Sequence, residues 1–514
     1  MKARLAVVLV LAGLGACGGE ALIGARYRAE RELWHLNEEY RRLDIKPQLV
    51  GPDTWRALAV RYEDMAASYA IAPKTDTADT VAHEVRTLVA RSLISAAQIR
   101  ANIGDSLQMH ANYRRVLANF QDIPLLVAEV VLAQGRIAEA AQKWGEAASA
   151  YSNIVEHVAP LPGDPGVPGA VLELPLRVAR LRHQEIVQAV AAGDTTGARA
   201  AARAAYADAE QRYAYWISTQ PQTRLALEAH LHLADTAADQ AHWQVALQEL
   251  RLVEKQVAGN KESIVDAGNV RFSIALVQNR FAPAESTRAT LLSLLAEYPQ
   301  SPAAPQALLA LANQAARLGA TNDALDYLDR LRDDYAGADQ LNAEGLLTRG
   351  RLLERESRWA EALDAFRNLP VRHPLSEPAL QAPLEIVAHY TRVEDTQEAN
   401  AALARAEREY RQLLARYPAH PITLSTRTKL VQTLALQKRN DEALTELLAI
   451  SDALQGHPQG ATYMLQAARF AYNQMDDHPR AAEILARLAK SYPNMDIGRW
   501  AAAEATRLQE GGSQ

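Results

Sequence analysis

The chain reads as an all-α protein, a superhelical α-solenoid of about ten helix hairpins behind an N-terminal helical cap. Three observations lead there. Hydrophobic residues make up 48% of the sequence but aromatic ones only 6%, a balance that suits close-packed helices better than sheets. A helical segment returns along the chain: Trp359-Ala360-Glu361-Ala362-Leu363-Asp364-Ala365-Phe366 is echoed by Trp144-Gly145-Glu146-Ala147-Ala148-Ser149-Ala150-Tyr151, and in part near Ala246, Ala324, Ala443 and Ala481. An aromatic-proline step follows many of these segments, at Tyr298-Pro299, His373-Pro374, Tyr417-Pro418, His457-Pro458 and Tyr492-Pro493.

The elements run as follows. Lys2 and Arg4 precede an apolar run from Leu5 to Leu14, and Gly15-Ala16 precede Cys17. This is the three-part pattern of a secretory signal, over residues 1–16. The run is too short to span a hydrocarbon core, which needs about twenty residues. Cys17 is the one cysteine of the sequence, which excludes a disulfide framework and a thiolate metal cluster. The net charge of −6 becomes −8 without Lys2 and Arg4, a mildly acidic body that argues against nucleic acid.

A tether and helical cap are expected over 17–93. Leu22, Ala25, Ala29, Leu33, Leu36, Tyr40 and Leu43 make one helical stripe, by their three- and four-residue steps. Asp53 is expected to cap a second helix carrying Trp55, Leu58, Tyr62, Met65 and Tyr69, and a third helix is expected from Asp79 to Ile103. Repeated hairpins follow over 94–158 and 170–508. Residues 159–169 are so rich in proline and glycine that they read as a loop, a hinge or insertion in the array. Residues 509–514 read as a frayed tail. Second helices are expected near Leu107, Ala147, Ala202, Ala246, Thr287, Ala324, Ala362, Ala406, Ala443 and Ala481.

Leu14-Gly15-Ala16-Cys17 resembles the lipobox of bacterial lipoproteins. The resemblance implies a diacylated, N-acylated Cys17 as the mature N-terminus, and Gly18 after it implies sorting to the outer membrane. The repeats resemble the tetratricopeptide repeat, a helix-turn-helix unit. Gly350, Ala362, Phe366 and Pro374 stand at that family's spacings, as do Gly135, Ala147 and Tyr151, and Ala406, Tyr410 and Pro418. Small residues let the two helices approach, and the alanine and the bulky residue four later share one helix face. Proline after the helix ends it. The Tyr-Pro-x-Ser-Pro-x-Ala style of Tyr298 to Ala303 resembles the variant found in periplasmic lipoproteins of barrel assembly and in the Tol-Pal coordinator.

Chemical motifs are missing from the sequence: it has no phosphate loop, no dinucleotide fingerprint, no nucleophile elbow and no His-Glu-x-x-His. His230 and His232 should point to opposite sides of a helix. His83-Glu84 and His183-Gln184-Glu185 read as exposed helix faces, and His373 and His457 as turn-packing residues. Trp144, Trp243 and Trp359 read as inter-helix core, with a carbohydrate platform as the alternative. Arg405, Arg408, Arg411 and Arg416, interleaved with Glu407 and Glu409, read as a solvated face. The expected function is therefore a lipid-anchored scaffold, without catalysis or cofactor, that binds other envelope proteins on a concave repeat surface. An accessory role in secretion, pilus or exopolysaccharide export stays open, as does an enzyme with its site inside the solenoid.

Overall fold

The computed structural model describes residues 18–44, 51–70, 80–157, 168–192, 195–221, 223–258, 263, 265–418, 420–455, 458–493 and 495–511. All the elements among them are helices: α1 (Gly18–Asp44), α2 (Pro52–Ser68), α3 (Thr80–Asn102), α4 (Ser106–Asn119), α5 (Pro124–Ala140), α6 (Trp144–His157), α7 (Pro168–Ala192), α8 (Thr196–Thr219), α9 (Arg224–Asp239), α10 (Trp243–Val257), α11 (Ala267–Phe281) and α12 (Ala284–Glu297). They continue with α13 (Ala304–Arg317), α14 (Thr321–Asp334), α15 (Asp339–Arg355), α16 (Trp359–Arg372), α17 (Glu377–Arg392), α18 (Thr396–Arg416), α19 (Ile422–Leu436), α20 (Asn440–Ala453), α21 (Pro458–Met475), α22 (His478–Ser491) and α23 (Asp496–Gly511). None of the described helices is long and apolar enough to cross a membrane. The chain forms two compact units, residues 1–236 and 237–514.

Several expectations shift. α2 begins at Pro52 with Gly51 as its cap, so Asp53 lies in the first turn instead of capping it; proline is favoured there because its missing N–H has no helical acceptor anyway. The division at 93/94 falls inside α3, one continuous helix whose Ala96 and Ile99 pack on Leu58 and Met65 while Val89 and Leu93 pack on Met109. Of the loop expected over 159–169, residues 159–167 lie outside the described residues and Pro168 opens α7. Of the tail, residues 509–511 complete α23.

Eight of the described turns between an odd-numbered helix and the next share one construction, while the α11–α12 turn at Ala282-Pro283 departs from it. Gly104, Gln142, Ala241, Gly319, Ser357, Glu394, Lys438 and Asp476 all have positive φ and stand between an odd-numbered helix and the next. The amide after such a residue closes back on the odd helix, as in Arg358 N to Leu353 O at 2.8 Å and Asp395 N to Tyr390 O at 2.9 Å. This left-handed closure satisfies the last helical carbonyls and reverses the chain within a few residues. Glycine adopts it freely at 104 and 319; the other six residues carry the strain of a Cβ there.

The even-numbered helices carry the repeat. Ala147, Ala246, Ala324, Ala362, Ala443 and Ala481 each sit in the first turn of one and are buried, with Tyr151, Leu250, Leu328, Phe366, Leu447 and Leu485 buried four residues on. Ala202–Tyr206, Thr287–Leu291 and Ala406–Tyr410 continue the pattern. In α4 the expected Leu107 is 72% exposed, whereas Met109 is 3% exposed and is followed by buried Tyr113. Asp105 caps that helix by accepting from the Gln108 amide, and the cap sets which of the two apolar residues faces inward.

Candidate functional site

Two rows of helices offer different surfaces. Within the second unit, α13 touches α15, α15 touches α17 and α17 touches α19, whereas the even-numbered helices are linked across the row by long side chains such as Arg480–Asp441, at 2.6 Å. Closer spacing of the odd row makes it the inner one of this unit, since the same number of helices spans a shorter path there.

On that inner row the polar groups of α15, α17 and α19 join into one strip. Arg351 pairs with Glu385, its Nε donating at 3.0 Å. Gln381 donates to Glu385 at 3.2 Å and accepts from Lys429 Nζ at 2.7 Å. Beside them, Glu354 is held by His389 Nδ1 at 2.7 Å and by Arg392 at 2.8 Å. The His389 ring lies flat on Trp359, centroids 3.4 Å apart and planes 5° from parallel, with Tyr390 edge-on to the same indole at 5.5 Å. Arg351 and Arg392 keep more than half their side-chain surface open to solvent while Glu385 and Glu354 are largely covered. The strip can therefore present guanidinium groups held by covered carboxylates, which suits planar acceptors on another protein.

The repeat-packing residues lie beneath these surfaces. Gly350 meets the Phe366 ring and Gly135 the Tyr151 ring so closely that an added Cβ would stand 2.4 Å and 2.2 Å from ring carbons. Alanine holds the place sixteen residues before the bulky side chain at Ala234, Ala275 and Ala312, all buried. Ala406 and Tyr410 are buried in α18, and the Tyr410 hydroxyl donates to Leu380 O at 2.6 Å; burial pushes its pKa far above the usual phenol value. Pro374 and Pro418 each follow the aromatic C-cap of an even helix, His373 (φ −131°, ψ 53°) and Tyr417 (φ −131°, ψ 57°). Tyr298, Tyr335 and Tyr492 hold the same place with nearly the same angles, and His373 Nδ1 reaches Asp339 at 2.9 Å.

Cys17, Leu14, Gly15, Ala16 and His457 lie outside the described residues. Trp144, Trp243 and Trp359 each open an even helix and are half-buried. His232 stacks on Tyr213, centroids 5.6 Å apart, and burial depresses its pKa against the pull of Asp235. Of the basic run, Arg411 is tied to Glu407 at 2.9 Å and Glu442 at 3.0 Å. Hydrogen bonds from Arg439 and Gln437 hold the Glu407 pKa below the usual carboxylate value although burial alone would raise it. Sequence reasoning missed the inner strip: its members are ordinary helix-surface residues, and their meeting depends on the spacing of three helices.

No curated protein matches the chain. Among solved structures it is similar to a tetratricopeptide repeat protein from Parabacteroides merdae (14% identity, 55% of this chain and 98% of that one, TM-score 0.30). It is similar also to yeast Tom70 (10% identity, 94% and 97%, TM-score 0.37) and to the Rap protein complexed with competence and sporulation factor (11% identity, 77% and 99%, TM-score 0.33). Residues 463–494, which span most of the α21–α22 hairpin, match the tetratricopeptide repeat family.

Proposed function

We propose that the protein is a lipid-anchored adaptor on the periplasmic face of the outer membrane, which binds other envelope proteins along its odd-numbered helices. The observation that carries the binding role is the strip of Arg351–Glu385 and Glu354–His389–Arg392, joined through Gln381 to Lys429, a preorganised polar surface along three consecutive inner helices. Stacked hairpins offer such extended faces to segments of other proteins. The Leu14-Gly15-Ala16-Cys17 segment behind its charged, apolar leader supports the anchor; with several acyl chains the attachment would be stable, where a single chain binds marginally. The Tyr298 to Ala303 exit style supports a place in outer-membrane protein assembly.

The test is site-specific photo-crosslinking in cells, with the reactive residue at Arg351 or Arg392 on the inner strip and at Asp364 on the outer row. The reading expects the same envelope proteins to be captured from both inner positions and not from Asp364. Equal capture from all three positions, or turnover of a small substrate by the purified protein that a single inner-row substitution abolishes, would overturn it.

A further inference from the structure

Grooves open between successive even-numbered helices, as at α14–α16 over α15, and two of them lie against unusually long helices. The even-numbered helices from α4 to α22 are 14 or 15 residues long except α8, with 24, and α18, with 21. Each of these long helices leaves a groove against the preceding even helix, floored by the odd helix between them: α6–α8 over α7, and α16–α18 over α17. The prolines interior to described helices are Pro175, Pro370 and Pro383, and all three line these grooves. An internal proline removes a helical hydrogen bond and typically costs about 3 kcal/mol, so all three sit at a cost to their helices in the walls and floors of these two grooves.

The two grooves differ in charge. Around the α6–α8 groove the arginines are answered within the chain: Arg212 pairs with Asp208 at 2.7 Å and Arg182 with Glu185 at 2.9 Å. In the α16–α18 groove Arg367 and Arg405 are exposed and, among the described residues, make no close ion pair, their charges acting within the groove on the half-buried Glu409, and Arg416 lies against the Tyr417 ring, at 5.3 Å. This groove has two adjoining hollows of about 160 and 180 Å³ that share Pro370, Pro383 and Glu409. Phe366, Ile386 and Tyr390 line the first, and Leu380, Leu413 and Tyr417 the second. Val371, beside Pro370, is 76% exposed. The lining carries Arg367, Arg405 and Arg416 against Glu398 and Glu409, a positive local balance on a chain of net charge −6. From Ala402 to Leu413 the groove follows twelve helical residues, eleven steps or roughly 16 Å, the span of about five extended residues.

We propose that the α16–α18 groove docks an acidic, leucine-bearing segment of a partner protein, its carboxylates on Arg367 and Arg405 and its apolar side chains in the two hollows. The groove opens between even-numbered helices and adjoins the strip invoked above at Tyr390, but Arg351 belongs to the strip alone, so substitution there separates this interaction from that one. Apolar contact supplies the grip and the guanidinium groups supply selection and register.

The probe is a fluorescein-labelled ten-residue peptide alternating glutamate and leucine, with two counterparts, lysine for glutamate and alanine for leucine. It is titrated by anisotropy into the chain from residue 18 onward. The expected result is binding of the first peptide alone, weakened at least tenfold by Arg367→Glu with Arg405→Glu and by raised salt, and unchanged by Arg351→Ala on the inner row. Arg367→Gln with Arg405→Gln, checked for unchanged helicity and melting temperature, guards against a folding defect and should also weaken binding. Equal binding of the lysine peptide, or full affinity in both double variants, overturns the proposal. So does a chain that self-associates in sedimentation through this groove, because a second copy would then be its occupant.

Discussion

Gly350 lies under the ring of Phe366 so closely that a methyl group on its Cα would stand 2.4 Å from ring carbon Cε1. Phe366 is fully buried, so its ring cannot swing away cheaply. Gly350→Ala gains helix propensity of up to about 1 kcal/mol but overpacks this contact, which typically costs about 1–3 kcal/mol. Net destabilisation is expected in urea unfolding. Gly197→Ala, at a helical glycine with nothing within 4 Å of an added Cβ, should be neutral or stabilising in the same measurement.

The register of α4 makes a second test. Met109→Ala should cost roughly 2–5 kcal/mol, the usual range for truncating a buried large side chain, because Met109 packs among Val85, Val89 and Leu93. Leu107→Ala should change little, since Leu107 faces solvent. Equal losses in thermal melts of the two variants would contradict the register.

The left-handed turns predict a gain. Ser357 has φ 60° between α15 and α16, where a Cβ costs about 1–2 kcal/mol. Ser357→Gly relieves that strain and gives back part of it, about 0.5–1 kcal/mol, in unfolded-chain entropy. A small rise in melting temperature is expected.

His232 predicts a pH dependence. Burial lowers its pKa from the ordinary 6.5, with Asp235 opposing. Around and below pH 6.5 the unfolded chain therefore binds a proton that the folded one resists, and stability falls as the pH drops from 6.5 toward the lower folded value. Above that window this histidine contributes no slope. Urea titrations of the parent and of His232→Gln at pH 7.5, 6.5 and 5.5 should show a loss on acidification that is smaller in the variant.

Cys17→Ala checks the proposed anchor. Metabolic labelling with a fatty-acid analogue should be abolished and the protein released from membranes. Full membrane retention after a high-salt wash would count against lipidation.

The sequence by itself determined the class of the protein and much of its phase. Pairs such as Ala362 and Phe366, or Ala443 and Leu447, are local to one helix face, and a spacing of four residues is visible without knowing any neighbour. Gly350 and Gly135 were legible for the same reason: only a residue without a Cβ tolerates a ring at that distance, so the small residue and the ring return together. Tertiary structure decided the rest. Leu107 and Met109 are both apolar, and the Asp105 cap with the packing of α3 chooses between them. Gln142, Glu394 and Lys438 carry no glycine signal, because the left-handed turn is imposed by the docking of two helices and not by the residue in it. In the basic run Arg411 found Glu442 on the next even helix while Arg405, among the described residues, makes no close ion pair and acts on Glu409 of its own helix. Which charges are neutralised depends on distances between helices, and no reading along one helix contains them.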